Sequence, residues 1–251
     1  MLKELVARLR QGHRTIAYPD GPAVLPDRFR GRPELVRSRC PADCTACAPA
    51  CPTGAVSCAT GGPALDLGRC LFCADCATAC PHDALRFGSE HRLAARSRDE
   101  LVLRDDERPA ARLAGDARLR LFRRSLKLRQ VSAGGCNACE ADVNVLGTVA
   151  YDLGRFGIQF VASPRHADGL LVTGPVPGNM KLALEKTYDA TPAPKIVIAV
   201  GACAISGGPY FDHDEACHGA TGLLPVDLHI PGCPPHPYTI LDGLLRFLGR
   251  L

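Results

Sequence analysis

The sequence predicts two units in series, a small α+β domain over residues 1–115 and an α/β domain with a parallel sheet over residues 116–251. Three observations predict it. Cysteines at 40, 44, 47 and 51 are echoed by cysteines at 70, 73, 76 and 80, and each run ends in Cys-Pro. Beyond residue 126, short apolar runs alternate with helical patterns, as strands joined by crossover helices do. Four further cysteines, Cys136, Cys139, Cys203 and Cys233, each fall shortly after one of those apolar runs.

The run from Cys70 to Pro81 reads Cys–x2–Cys–x2–Cys–x3–Cys–Pro, the bacterial ferredoxin pattern in which the fourth thiolate ligates the other cluster of a pair. That pattern requires a partner run, and Cys40, Cys44, Cys47 and Cys51 with Pro52 supply it. Cys44, Cys47 and Cys51 recur 29 residues later as Cys73, Cys76 and Cys80, and Thr-Gly-Ala-Val aligns with His-Asp-Ala-Leu, so the region is an internal duplication. The N-terminal unit is therefore expected to be a ferredoxin-type dicluster domain. In the paired pattern Cys40, Cys44, Cys47 and Cys80 hold one [4Fe–4S] cluster, and Cys51, Cys70, Cys73 and Cys76 hold the other. Cys40 is separated from Cys44 by three residues instead of two, a departure that bears on the first cluster. Cys58 lies outside both runs and reads as a buried free thiol.

Fourteen cysteines, no N-terminal apolar leader and tight x2 spacings favour thiolates on metal over disulfides. Zinc ribbons pair two Cys-x-x-Cys knuckles, whereas here a third cysteine and a Cys-Pro follow each time. A formal net charge of +4 with no aromatic-and-basic module excludes a nucleic-acid reader. No apolar stretch reaches the roughly 18 residues a bilayer span needs, so a soluble or peripheral protein is expected.

Leu2, Leu5, Val6 and Leu9 sit at helical spacing among Lys3, Arg8 and Arg10. They predict a short docking helix against a partner or the protein's own core, with a basic membrane contact as the alternative. Residues 18–33 are rich in Pro and Gly and read as extended. Residues 89–117 read as a charged connector with some helix or strand. From Arg118 to Arg129 six basic residues occur with no acid, either a solvated face or an interface with an acidic partner.

In the second unit the expected strands are 126–131, 158–162, 169–173, 196–200 and 226–230, with helices around 142–156, 179–188 and 238–248. Open α/β sheets bind ligands at the carboxyl ends of their strands, which is where Cys136, Cys139, Cys203 and Cys233 fall. Four thiolates converging there would hold a third cubane. The Gly and Pro around them (Gly134-Gly135-Cys136, Gly201-Ala202-Cys203, Gly232-Cys233-Pro234) allow close backbone approach in rigid loops.

With those motifs in hand, the N-terminal part, including Tyr18-Pro-Asp-Gly-Pro22 and Phe29-Arg-Gly-Arg-Pro33, resembles the ferredoxin-like electron-transfer subunit of formate hydrogenlyase. The C-terminal part resembles the small subunit of that complex, of the complex I 20 kDa and nickel–iron hydrogenase small-subunit family. The resemblance is carried by 134–140 (GGCNACE), 155–176, 201–208 (GACAISGG) and 230–235 (IPGCPP). It implies a flavodoxin-like parallel sheet and assigns Cys136, Cys139, Cys203 and Cys233 to the cluster nearest a large catalytic subunit. It also implies an upstream donor module of formate dehydrogenase type or another kind, membrane subunits, and a place on the inner, cytoplasmic face of the cell membrane. The spaced pair Cys136 and Cys139 is the hydrogenase form, since complex I subunits carry adjacent cysteines there. Glu140 matches an acid of the family, while Asp142 stands where a longer acid is common; helix capping and subunit contact are the plain roles for both. Cys217 is expected not to be a ligand, and His213, His218, His229 and His236 lack metal-site spacing and read mostly as loop or interface residues.

The expected function is a non-catalytic relay of electrons through three [4Fe–4S] clusters to or from a [NiFe]-hydrogenase-type large subunit. The alternatives are a nickel-free complex-I-like relay to quinone or another carrier, and a free-standing ferredoxin-like carrier or redox sensor.

Overall fold

The fold is that of a computed structural model, which describes residues 2–59, 62–104 and 117–251. The expected boundary between residues 115 and 116, and most of the second half of the charged connector, lie outside the described residues.

The chain opens with helix α1 (Leu2–Gln11), which has no buried residue: Leu2, Leu5 and Leu9 are exposed. The expectation that this helix packs on the protein's own core is therefore not met. The segment that follows is pinned to the far unit instead. Ile16 N donates to Ala150 O, and Arg155 Nη2 donates to Ile16 O and Tyr18 O. The N-terminal unit contains β1 (Pro33–Leu35), β2 (Val56–Ala59), β3 (Gly62–Asp66), the single-turn helix α2 (Asp75–Thr78), β4 (Leu85–Phe87) and β5 (Val102–Leu103). Strands β1 and β4 pair antiparallel, and β3 lies between β2 and β5 in a second antiparallel sheet. The alternation of Gly62–Asp66, with Pro63 and Leu65 inward, is what a one-faced strand requires.

After helix α3 (Ala117–Phe122) come β6 (Leu126–Ser132), α4 (Ala138–Val145), β7 (Ile158–Phe160), β8 (Gly169–Thr173), α5 (Gly178–Ala190), β9 (Ile196–Val200), α6 (Ala202–Ser206), β10 (Leu228–Ile230) and α7 (Pro237–Phe247). The five strands form one wholly parallel sheet in the order β10-β9-β8-β6-β7. Counted within the unit this is 2-1-3-4-5, the flavodoxin-like order, whose strand direction of progress reverses between its first and third strands. Strands β8 and β9 are buried at every position because helices cover both faces. Leu128, Leu171, Ile198 and Leu228 face α7, and Leu170, Val172 and Val197 face Leu184 of α5.

Two expected elements differ. The helix expected around 142–156 starts earlier and stops at Val145, ahead of Gly147, and the freed backbone of Val149 and Ala150 accepts hydrogen bonds from Thr15 and Ile16. The basic run is split by burial: Leu119, Phe122, Leu126 and Leu128 turn inward, while Arg118 reaches Asp227 at 2.9 Å and Arg120, Arg123 and Arg124 face outward.

The two units share a core. Leu65, Leu67, Leu101 and Leu103 of the first unit cluster with Ala199, Ala204 and Ile205 of the second. Ala95 and His229 exchange backbone hydrogen bonds of 3.0 and 2.8 Å across the free edge of β10, and Ser206 Oγ donates to Gly68 O at 2.8 Å. His229, inside the strand expected over 226–230, is thus a buried strand residue where the two units meet.

Tyr18 closes this core from the N-terminal side. Its hydroxyl donates to Asp242 Oδ1 at 2.7 Å, and Arg246 Nε donates to both oxygens of the same carboxylate at 2.9 Å. Tyr238 packs edge-on against Tyr18, His91 and Tyr151. Asp242 is 1% exposed, so these hydrogen bonds offset the cost of burying its carboxylate. Tyr18→Phe should cost about 1.5–3 kcal/mol, the worth of a hydrogen bond to a charged group, read as a lower denaturant midpoint at unchanged slope. Burial lowers the His91 pKa below its usual value; Asp242 and Glu90 pull the other way, and Arg92 and Arg246 oppose charging. Folded His91 is then neutral where the unfolded chain takes up a proton, so stability should fall as pH drops below about 6.5. His91→Gln should reduce that loss in thermal unfolding measured across about pH 5.5–8, the range around that reference value.

Candidate metal centres

Twelve thiols fall into three neighbourhoods, and each is built by a different piece of the fold. In the N-terminal unit Cys40, Cys44, Cys47 and Cys51 lie on successive turns between β1 and β2, held by backbone bonds such as Cys44 N to Pro41 O and Cys51 N to Ala48 O. Cys73 and Cys76 flank Ala74, which takes a left-handed φ of 69° to start α2. The same device recurs between Cys136 and Cys139, where Asn137 takes φ 71° and starts α4. Asn tolerates that conformation better than Ala does, because its short polar side chain can bond locally.

The thiols group by their effects on one another's ionisation. Burial raises the Cys40 pKa, and the neighbouring Cys44, Cys58 and Cys80 raise it further. Cys47 is pushed up to about 12 by burial, by a hydrogen bond with Cys58 and by the charges of Cys58 and Cys80. The second neighbourhood is Cys51, Cys70, Cys73 and Cys76. Cys70 rises to about 12 and Cys76 to about 11, in both cases by burial first and then by the others of the set. Cys51 is the exception: burial pushes it up, but amide groups of Thr53, Val56 and Ala55 outweigh that and lower it. Thus Cys80 sits with the first run and Cys51 with the second, each across from its own sequence neighbours.

The third neighbourhood lies at the carboxyl ends of β6, β9 and β10. Cys136 and Cys139 follow β6 at the switch point of the sheet, Cys203 stands in α6 just beyond β9, and Cys233 follows β10. Burial raises Cys139, and Cys203, Glu140, Cys233 and Cys136 add to it; Cys203 reaches about 11 by burial and by Cys233 and Cys136. Cys233 is raised by burial, by Cys136 and by Cys73, and it lines one cleft with Leu71 and Phe72 of the second cysteine run. Gly201 and Gly208 make the room: a Cβ on Gly201 would stand 2.5 Å from Cys139 Sγ, and one on Gly208 2.7 Å from Cys203 Sγ.

The donor sets fit iron–sulfur clusters. All fourteen cysteines are free, and buried thiolates brought together repel one another unless a cationic core lies among them. Among the described residues no three metal-ligating side chains converge on a single ion. A cubane asks for something else, since it spreads its four thiolates over four irons. Backbone N–H groups already point at these sulfurs: Ala55 N to Cys51 at 3.1 Å, Phe72 N to Cys70 at 3.3 Å and Ala84 N to Cys80 at 3.3 Å.

Around the third set, Glu140 is 5% exposed and its Oε1 accepts from Ser132 Oγ at 2.7 Å and Thr173 Oγ1 at 2.6 Å. Burial opposes its ionisation, but those hydroxyls of Thr173 and Ser132 lower its pKa overall. Its role is inside the chain, tying α4 to β6 and β8, instead of the capping or subunit contact expected. Asp142 is half-buried, its pKa raised by burial, in a cleft with Arg28, Arg30, Phe72, Cys233 and His236. Cys217 packs with the apolar cluster under α5 and with none of the three sets. His236 Nδ1 caps α7 through Tyr238 N, and His213 Nδ1 accepts from Glu215 N. Cys58, read from the sequence as a free thiol, is free and half-buried, and it stands beside Cys47 at 3.8 Å, a neighbour the sequence reading did not name.

Gly201 has a φ of +90° with ψ 156°, a region essentially reserved for glycine. Gly201→Ala should therefore lower the iron bound after anaerobic reconstitution by about four per chain, one cubane, with the far-ultraviolet circular dichroism retained.

The family described as NADH ubiquinone oxidoreductase, 20 Kd subunit, matches residues 136–247, from the first cysteine of the third set to the end of α7. The chain is 43% identical over 121 residues to the probable membrane-bound hydrogenase subunit mbhJ of Pyrococcus furiosus, covering 48% of this chain and 72% of that one. It is 42% identical over 133 residues to formate hydrogenlyase subunit 7 of Escherichia coli, 53% of this chain and 52% of that one. It is 46% identical over 118 residues to an NADH-quinone oxidoreductase subunit of Clostridium beijerinckii, 47% of this chain and 70% of that one. With a flavodoxin-order sheet, four thiols at its carboxyl edge and these relatives, the chain belongs to the NADH ubiquinone oxidoreductase 20 Kd subunit family.

Proposed function

We propose that the chain is a non-catalytic electron-relay subunit of a membrane-associated, complex-I-like hydrogenase of the formate hydrogenlyase type. In this reading the N-terminal unit is a ferredoxin-type dicluster domain fused to the 20 Kd-type unit. Cys40, Cys44, Cys47 and Cys80 hold the first [4Fe–4S] cluster, Cys51, Cys70, Cys73 and Cys76 the second, and Cys136, Cys139, Cys203 and Cys233 the third. Each cluster, when bound, accepts and releases one electron at a time.

The observation that carries the proposal is a shared cleft: Cys233, beyond the parallel sheet, lines it together with Leu71 and Phe72, which lie between Cys70 and Cys73. The chain's part is positional. The shared core of Leu67, Ala204 and Ile205, with Ser206 bonded to Gly68, fixes the two units against each other and keeps water from the space between. Cys136 and Cys233 are exposed, so the third set lies at a surface where a partner can receive charge. That partner is a large catalytic subunit of hydrogenase type, with an upstream donor module of formate dehydrogenase type or another kind. Membrane subunits would hold the assembly on the inner face of the cell membrane, since no helix among the described residues is long and apolar enough to cross a bilayer. The spaced pair Cys136 and Cys139 supports the hydrogenase form. The similarity to an NADH-quinone oxidoreductase subunit supports a second reading, a nickel-free relay to quinone or another carrier.

Anaerobic purification of the native complex with metal analysis separates the two. Nickel together with about a dozen irons attributable to this chain, three four-iron clusters, is the expected result, and iron without nickel would select the second reading. In the isolated chain, Cys203→Ser and Cys233→Ser should each alter one component of the reduced paramagnetic spectrum and leave the others in place.

A further inference from the structure

We propose that Cys58 donates its S–H to the Cys47 sulfur and so raises the reduction potential of the first cluster above the value its own repeat partner would have. The inference rests on the ligand assignment proposed above, in which Cys47 is a thiolate of that cluster.

The two sulfurs are 3.8 Å apart, within sulfur hydrogen-bond distance, in a setting where Cys47 is 7% exposed. Once Cys47 is a thiolate it has no proton to give, so the only direction left to the bond is from Cys58. The donor is held by secondary structure. Cys58 lies in β2, paired with Pro63 of β3, and packs with Cys47 against the cluster that includes Leu65, Leu67 and Leu103. Cys58 has no place as a thiolate of the set, because Cys40, Cys44, Cys47 and Cys80 already supply four.

The internal duplication provides the comparison. Cys51 accepts from Ala55 N and Cys80 from Ala84 N, at 3.1 and 3.3 Å, and these pairs are one repeat apart. The backbone donors of the two halves are thus matched. Position 58 breaks the match, since its repeat equivalent is Phe87, whose ring packs edge-on against Phe72 at 6.1 Å between centroids. One half therefore places an S–H where the other places an apolar ring.

The direction follows from charge. A one-electron reduction adds negative charge that spreads onto the thiolate sulfurs, and a donor aimed at one of them stabilises the reduced form more than the oxidised. The electron comes from the upstream donor, no bond is made or broken, and the proton stays on Cys58. Thiols are weak donors, so the effect should be a few-fold in the reduction equilibrium, below the tenfold that equals about 59 mV for one electron.

The test uses the full chain, reconstituted anaerobically, with iron analysis and potentiometric titration followed by electron paramagnetic resonance. In Cys58→Ala the iron content should match the parent, and one component alone should titrate at lower potential by a few-fold in its equilibrium. In Cys58→Ser, which keeps an O–H donor, that component should lie above the alanine variant. An unmoved potential in Cys58→Ala overturns the proposal, and so does loss of about four irons, which would make Cys58 a ligand. Cys47→Ala tests the assignment beneath it: iron unchanged in that variant would remove Cys47 from the cluster and this role with it.

Discussion

Charge repulsion among buried sulfur atoms is the constraint on which the rest of this structure depends. Cys70 and Cys76 are buried and Cys139 and Cys203 half-buried, and every one is made harder to ionise by burial and by neighbouring thiols. A polypeptide on its own gains nothing by this crowding. It becomes favourable only around a cationic core, so the loops must hold the thiols together against their mutual repulsion until the core is in place. That demand accounts for the glycines at 201 and 208, the left-handed Ala74 and Asn137, and the rigid Cys-Pro endings.

The second demand is that separate sites keep a constant spacing, and the structure meets it by giving the two units one interior. The edge strand of the parallel sheet is closed by the backbone of Ala95, and Tyr18, from the start of the chain, is buried against α7 at its end. Asp242, sealed between Tyr18 and Arg246, ties the first thirty residues to the last turn of the fold. Such a charged link stabilises only while all its partners are present, which makes it a test of correct assembly as much as a source of stability.

Much of this was legible in the sequence because the signals were local. Strands 169–173 and 196–200 appear at the expected residues, their unbroken apolar runs having only one reading inside a parallel sheet. The positions of Cys136, Cys139, Cys203 and Cys233 just beyond strand ends could be read from the strands alone. What was not legible depends on contacts distant in sequence. Beyond the early end of α4 ahead of Gly147, Ala150 is recruited by Ile16, and no pattern within 142–156 encodes that pairing. Glu140 looked like a surface or capping acid, yet hydroxyls from Ser132 and Thr173 on two strands draw it into the interior. His229 lies in the strand expected over 226–230, but its burial comes from a segment more than a hundred residues upstream that covers that strand.

The exchange of Cys51 and Cys80 between the two cysteine runs has a consequence for how this region can change over evolutionary time. In the proposed ligand sets each half of the duplication supplies a sulfur to the other half, so neither half is then a self-sufficient module. Deleting, transplanting or circularly permuting one of them alone would leave both neighbourhoods a sulfur short. The doubled segment can be inherited, moved or fused only whole, as two interlocked rings would have to be.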